Sequence, residues 1–286
     1  MFIQILLTKG LSASNKITTS FSQTNNSNNA NFDIKLPNSV STTYDNRGWY
    51  VVFREYANGK AGNLQYVTGT NNGVANYDDL NFITKLSVDS VTSHLKVLFE
   101  ITNNGNSPKT IDVGVFADIF IDKDDFAKIT PLQGNRGFTM IDQSSGKKLT
   151  LLLKDSKDVT NVDTFFYGGK DDSYMTDEKR YTTDKFPYFK NMDYVTNYEG
   201  DYDSVFSFSW QKKTINPQET LSLSVVAGAD ADTSTPPYIK LTKEINERYN
   251  KNDKITVQFD VYEFDYQYDN SEFVKVYYEF DGKKLL

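Results

Sequence analysis

Hydrophobic and polar positions alternate along residues 95–102, with Val97, Phe99 and Ile101 set against Leu98, Glu100 and Thr102. A two-residue period of this kind marks a half-buried β-strand. The chain then turns polar through Asn103, Asn104, Gly105, Asn106, Ser107 and Pro108, residue types that supply turn backbones. A second run, residues 110–121, carries Ile111, Val113, Val115, Ile119 and Ile121 as its apolar set. Two strands joined by a polar turn point to an antiparallel β architecture. Similar β-branched or aromatic runs between Gly, Asn, Asp and Ser clusters predict strands at residues 2–7, 16–21, 32–35, 49–55, 64–68, 81–88, 164–167, 204–212 and 220–228. Residues 137–141 and 148–154 predict a hairpin with its turn at Asp142 to Gly146. Helical periodicity is nearly absent, and residues 241–249 are the one helix-compatible piece.

Domain organisation follows from one break. Residues 231–237 close on Pro236-Pro237 after a polar run and read as a semi-rigid linker. Residues 1–230 are then an all-β sandwich domain. Residues 238–286 hold about three strands, fewer than the roughly seven of a complete immunoglobulin-like sandwich; they read either as a tail packed on the first domain or, the favoured reading, as a partial Ig-like β module. Residues 22–29, polar throughout, read as a loop.

Composition removes several function classes. The chain of 286 residues has 38 acidic and 31 basic side chains, a net charge of −7. That argues against nucleic acid, whose phosphates need a basic face. With no cysteine, disulfides, thiolate metal sites and a cysteine nucleophile are excluded. A single histidine, His94, removes any multi-histidine metal centre. No stretch approaches the ~20 apolar residues of a membrane helix. The N-terminal apolar run lacks a basic segment before it and reads as a strand, not a signal peptide. No cofactor is expected, and the sequence carries no compartment signal, although a cell-surface setting fits if the chain is part of a longer protein. Asn25-Asn26-Ser27 is a lone glycosylation sequon.

Candidate chemistry rests on aromatics and carboxylates. Asp118 interrupts an apolar strand between Phe116 and Phe120, so it points inward and needs a partner, for which Arg136 is a candidate. Asp122, Asp124 and Asp125 form a weak calcium candidate that lacks the spacing of a calcium loop; its bland reading is a solvated turn. Residues 168–203 form a long segment rich in Tyr and Asp, including Tyr188 and Tyr194. Long loops in compact domains often carry function. Aromatic faces with carboxylates suit sugars, and the alternative is an insertion with a compositional tyrosine bias. Trp49 either offers a ligand platform or fills the core, and Trp210 reads as core. His94 reads as an exposed turn histidine.

Two blocks resemble galactose mutarotase-like β-supersandwich domains. One is Val97 through Asn103 with Pro108 and the strand after it. The other is Asn216-Pro217-Gln218-Glu219 leading into the strand from Thr220. The resemblance implies the supersandwich fold over about residues 49–228. Mutarotases place a catalytic histidine near the far end of the second strand. Here that region reads Val115-Phe116-Ala117-Asp118, with no histidine, so the resemblance implies the fold without the epimerase chemistry. Residues 46–50, 116–121 and 134–140 are also similar to β-rich surface-type proteins of parasitic protists, and Val274 to Gly282 to a strand of adhesin-like Ig repeats.

The reading is therefore an all-β, antiparallel supersandwich followed by a partial Ig-like module. It acts as a non-enzymatic binding or adhesion module for carbohydrate or a partner protein. Trp49, Asp118, Arg136, Tyr188 and Tyr194 are the ligand-binding candidates, with no catalytic residue and no metal assigned. The alternatives are a carbohydrate-active enzyme working through carboxylates such as Asp118 with Asp122 or Asp203, and a scaffold without ligand.

Overall fold

A computed structural model describes residues 2–4, 17–21, 30–68, 72–89, 94–169, 204–229, 238–241, 259–262, 277–280 and 283–285. The strands in chain order are β1 (Phe2–Gln4), β2 (Thr18–Phe21), β3 (Phe32–Leu36), β4 (Val40–Ser41), β5 (Tyr50–Ala57), β6 (Lys60–Ala61), β7 (Gln65–Tyr66), β8 (Val74–Tyr77), β9 (Leu80–Val88), β10 (Leu95–Asn103) and β11 (Lys109–Asp118). They continue with β12 (Lys128–Pro131), β13 (Gly137–Ile141), β14 (Lys148–Leu152), β15 (Thr164–Gly169), β16 (Ser204–Ile215), β17 (Thr220–Ala229), β18 (Tyr238–Leu241), β19 (Phe259–Tyr262), β20 (Tyr277–Phe280) and β21 (Lys283–Leu285). No α-helix occurs among the described residues, and the pairs are antiparallel, as the alternation predicts.

Two large sheets make a β-sandwich. One has seven strands in the order β12-β13-β14-β17-β10-β9-β8, and the other has six, including β15-β16-β11-β5-β6, with β7 also on β5. Their facing sides share one core, in which Val97, Phe99 and Leu223 of the first meet Val113, Val115 and Phe206 of the second. Phe99 meets Trp210 edge-on at 6.0 Å, and Phe53 packs on Phe82 at 4.7 Å.

β10 and β11 are consecutive but belong to different sheets. The Asn103 to Pro108 turn therefore crosses the sandwich and does not close a hairpin. β10 buries every second residue, as its pattern predicts. β11 is buried on both faces from Ile111 onward. Its inner residues enter the main core. On its other face Phe116 stacks on Tyr50 (4.6 Å, 8° between rings) in a second apolar cluster with Ala30 and Val52. A strand covered on both sides reads as a nearly continuous apolar run, which is the composition of residues 113–121.

One carboxylate inside β11 is structural. Asp112 Oδ2 accepts from Arg54 Nε (2.8 Å) and Tyr56 Oη (2.9 Å), and Oδ1 accepts from the Lys212 amide (2.7 Å). Lys212 has φ of 46° and sits at the β-bulge where the β11–β16 register shifts. The buried acid thus pins the extra residue of the bulge.

The hairpin of residues 137–152 forms as β13 and β14, closed by hydrogen bonds between Asp142 and both Lys147 and Gly146. β1 pairs with β20, which brings the first strand of the chain and the C-terminal segment into one three-stranded sheet with β21. The predicted helix at 241–249, the linker and the loop at 22–29 lie outside the described residues, apart from Leu241 at the end of β18.

Candidate ligand-binding cleft

The seven-stranded sheet presents its second face away from the core. Register places Ser87, Lys96, Val226 and Leu152 in one row across β9, β10, β17 and β14 on that face. Their neighbours Leu95, Ala227 and Leu151 turn into the core, so strand alternation alone delivers this row to the outside.

A loop after β14 walls the row. Ser224 Oγ donates to Asp158 O (2.9 Å), and the Thr160 amide donates to Ser224 O (2.8 Å). Lys96 Nζ pairs with Asp158 Oδ1 at 3.0 Å. The cleft, open to solvent on one side, has a volume of about 260 Å³. Leu152 and Val226 give it an aliphatic floor, with Val88 at its edge turned toward the core. Ser87, Ser156, Lys157, Asp158 and Asp89 add hydroxyl, ammonium and carboxylate groups, and His94 completes the lining.

His94 is buried, 7% exposed, which corrects the expectation of an exposed turn histidine. The reason lies across the strand pair. A Cβ at Gly228 would come within 2.9 Å of His94 Cδ2 and 3.1 Å of Nε2, so the imidazole occupies the space this glycine leaves. Burial holds the imidazole below its ordinary pKa, opposed in part by the Asp89 carboxylate. His94 is therefore neutral at pH 7.

The sequence-derived candidates scatter. Arg136 is fully buried beside the cleft's wall: its carbonyl accepts from the amides of Leu153 (2.7 Å) and Lys154 (3.0 Å), and its Nη1 donates to Asp155 O (3.3 Å). It supports the loop that closes the site. Asp118 is buried as expected, but on the outer side of the six-stranded sheet, with Arg47 Nη1 at 4.0 Å as its ion partner; Arg136 does not supply that ion pair. Trp49 is in the core, packed on Phe32 (5.5 Å) and Phe206 (4.8 Å), and Trp210 is buried with its Nε1 donating to Thr160 O (2.9 Å). Tyr188, Tyr194, Asp203 and the sequon lie outside the described residues. In the acidic turn, Asp124 accepts from the amides of Phe126 (2.8 Å) and Gln143 (3.2 Å), and Asp122 pairs with Lys147 at 2.7 Å. Among the described residues no three acidic or histidine side chains are placed to hold a metal ion. No helix among them is long and apolar enough to cross a membrane.

One buried carboxyl outside the cleft is tuned. Asp33, 6% exposed, accepts from the Ile34 amide (2.9 Å) and Thr43 Oγ1 (3.4 Å). Burial outweighs these bonds and the charge of Lys35 and pushes it up to about 6, from 3.8. The folded state therefore binds this proton more tightly than the unfolded chain. Stability from this group is highest below pH ~4 and falls as pH rises toward ~6, by on the order of 2–3 kcal/mol. In urea titrations, Asp33→Asn should gain on the wild type by about that amount between pH 4 and pH 7. A pH-independent difference between the two proteins would contradict the assignment.

A scan against protein-family models matches none of them, and a search of curated protein sequences finds no match. Among solved structures, one similar chain is a polysaccharide lyase, with a TM-score of 0.49 and 14% identity, covering 83% of this chain and 36% of that one. The chain thus spans about a third of that lyase's length, and at this identity the lyase's activity stays with the lyase.

Proposed function

We propose that this β-sandwich is a binding module whose ligand is a carbohydrate, taken one sugar residue at a time into the cleft beside His94. The observation that carries the reading is the lining: an aliphatic floor of Leu152 and Val226 beneath hydroxyl, ammonium and carboxylate groups. A sugar offers C–H faces to such a floor, and its hydroxyls both donate and accept. A few convergent polar groups over an apolar base are the usual make-up of a small-molecule site. The partner-protein reading of the sequence has no comparable feature among the described residues.

Ligand-observed NMR with a panel of neutral monosaccharides tests this. Binding is expected in the millimolar range, about −4 kcal/mol. Asp158→Asn should weaken it severalfold while changing stability by no more than ~1 kcal/mol, because the Lys96–Asp158 pair is half-exposed and screened by solvent. No saturable binding by any sugar, or binding indifferent to Asp158→Asn, would remove the proposal.

A second reading is a carbohydrate-active enzyme. It is favoured by a neutral imidazole lining the same cleft as the carboxylates of Asp89 and Asp158, which are parts that acid–base chemistry uses. Sugar turnover that is lost in His94→Gln would support it over simple binding.

A further inference from the structure

Resting on that reading of the cleft, we infer that its ligand is an anionic sugar, with the anionic group seated between Lys157 and His94 and with His94 taking up a proton from solvent as the ligand binds. The charge distribution points this way. Asp and Glu outnumber Lys and Arg 38 to 31 in the chain, whereas the described lining of the cleft balances Lys96 and Lys157 against Asp89 and Asp158 and adds the imidazole of His94. Lys96 and Asp158 neutralise one another at 3.0 Å. Lys157 is exposed on the wall, and no described carboxylate lies within ion-pair distance of it. It is the cation available to a ligand.

His94 supplies the second half. The space at Gly228 seats the ring against β17, and the imidazole borders the cavity. Among the described residues, the charged groups lining the cleft with it are Asp89 at the end of β9, Lys96 on β10, and Lys157 and Asp158 on the wall; β14 and β17 present Leu152, Thr150, Val226 and Gly228, which carry no charge. Without ligand, burial keeps the ring neutral. An anion beside it favours the charged form. Binding and protonation are then linked, and affinity rises as pH falls through the range where the free imidazole titrates.

Glucose, glucuronate and glucose 6-phosphate, titrated by calorimetry at pH 5.5 and 7.5, test this. At least one anion should bind about fivefold or more tighter than glucose at pH 5.5, with the preference shrinking at pH 7.5, and the comparison of the two anions identifies carboxylate or phosphate. Lys157→Gln, a change at an exposed position, should remove the preference, bringing the affinity for the anions down to that for glucose measured on the same variant. His94→Gln, with its folding checked by thermal denaturation, should abolish the pH dependence. Gly228→Ala, which crowds the ring, should shift the pH profile. If glucose binds as tightly as both anions at both pH values, or the preference survives Lys157→Gln, this inference falls while the carbohydrate site stands. If none of the three binds at tens of millimolar, both fall.

Discussion

Gly137→Ala is expected to destabilise the protein by roughly 4 kcal/mol or more, the range reserved for steric or strained positions. Gly137 opens β13 with φ of 149°, and a Cβ there would lie near 1.9 Å from Leu151 O and 3.4 Å from Leu152 Cα. The obstructing atoms are backbone, so no rotamer change relieves the clash. β13 or β14 must move, and β14 is held on its far side by β17. At 2–4 °C per kcal/mol for a chain of this size, the melting temperature should drop by about 10 °C or more. Gly146→Ala is the control. Its φ is 72°, and nothing lies within 4 Å of the added carbon, so it should cost only the backbone preference, about 1 kcal/mol. Equal losses for the two variants would show that close approach at Gly137 is not what the fold depends on.

The same change reaches the cleft. Leu152, opposite Gly137 in the β13–β14 register, forms part of the floor, and the Arg136 carbonyl just before it anchors the wall loop. Any Gly137→Ala protein that remains folded should therefore bind sugar more weakly than Gly146→Ala does. Arg136, noted in the sequence as a possible charge partner for Asp118, instead forms with Gly137 a structural pivot for the candidate site.

The strands were legible because each is local. β10 shows its alternation residue by residue, and the β13–β14 hairpin carries its own turn. The assignment of β10 and β11 to different sheets was not legible, since a polar turn with glycine and proline serves a hairpin and a sheet crossing equally well. Asp112 within the apolar run gave no sign that it pins a bulge, because the other half of that bulge, Lys212, lies 100 residues away. The cleft left no motif at all. Its row draws single residues from β9, β10, β14 and β17, and each is unremarkable beside its neighbours. His94 seemed destined for solvent next to a turn; the missing side chain at Gly228 decides otherwise, and only the register brings the two together.

Asn103→Ala should cost roughly 4 kcal/mol, from two buried partners, the Ile215 carbonyl and the Gly105 amide, left without a bond at about 1–3 kcal/mol each. Asn103 is fully buried at the end of β10. Its Nδ2 donates to Ser107 O (2.8 Å) and Ile215 O (3.0 Å), and its Oδ1 accepts from the Gly105 amide (3.0 Å). Its backbone takes part as well: its amide donates to Glu219 O (3.0 Å), and its carbonyl accepts from the Gln218 amide (2.7 Å). One side chain therefore ties the sheet crossing to the Asn216–Glu219 turn, and the two blocks behind the mutarotase-like resemblance prove to be the two sides of a single corner. The amide's polarity is essential to this account, and Asn103→Asp isolates it. That variant keeps the shape and the acceptor but points a carboxylate oxygen at two carbonyls. It should lose at least as much stability as the alanine variant at pH 7. Burial and carbonyl repulsion raise the carboxyl's folded pKa above its unfolded value, so part of the loss should return as pH falls and the protonated acid donates one bond. Asn104→Ala, whose exposed side chain makes no described bond, should change little. Urea unfolding of the three variants at pH 4 and 7 decides the matter: an Asn103→Ala loss below about 1 kcal/mol, no more than a typical single hydrogen bond, would mean that the corner is held by its backbone alone.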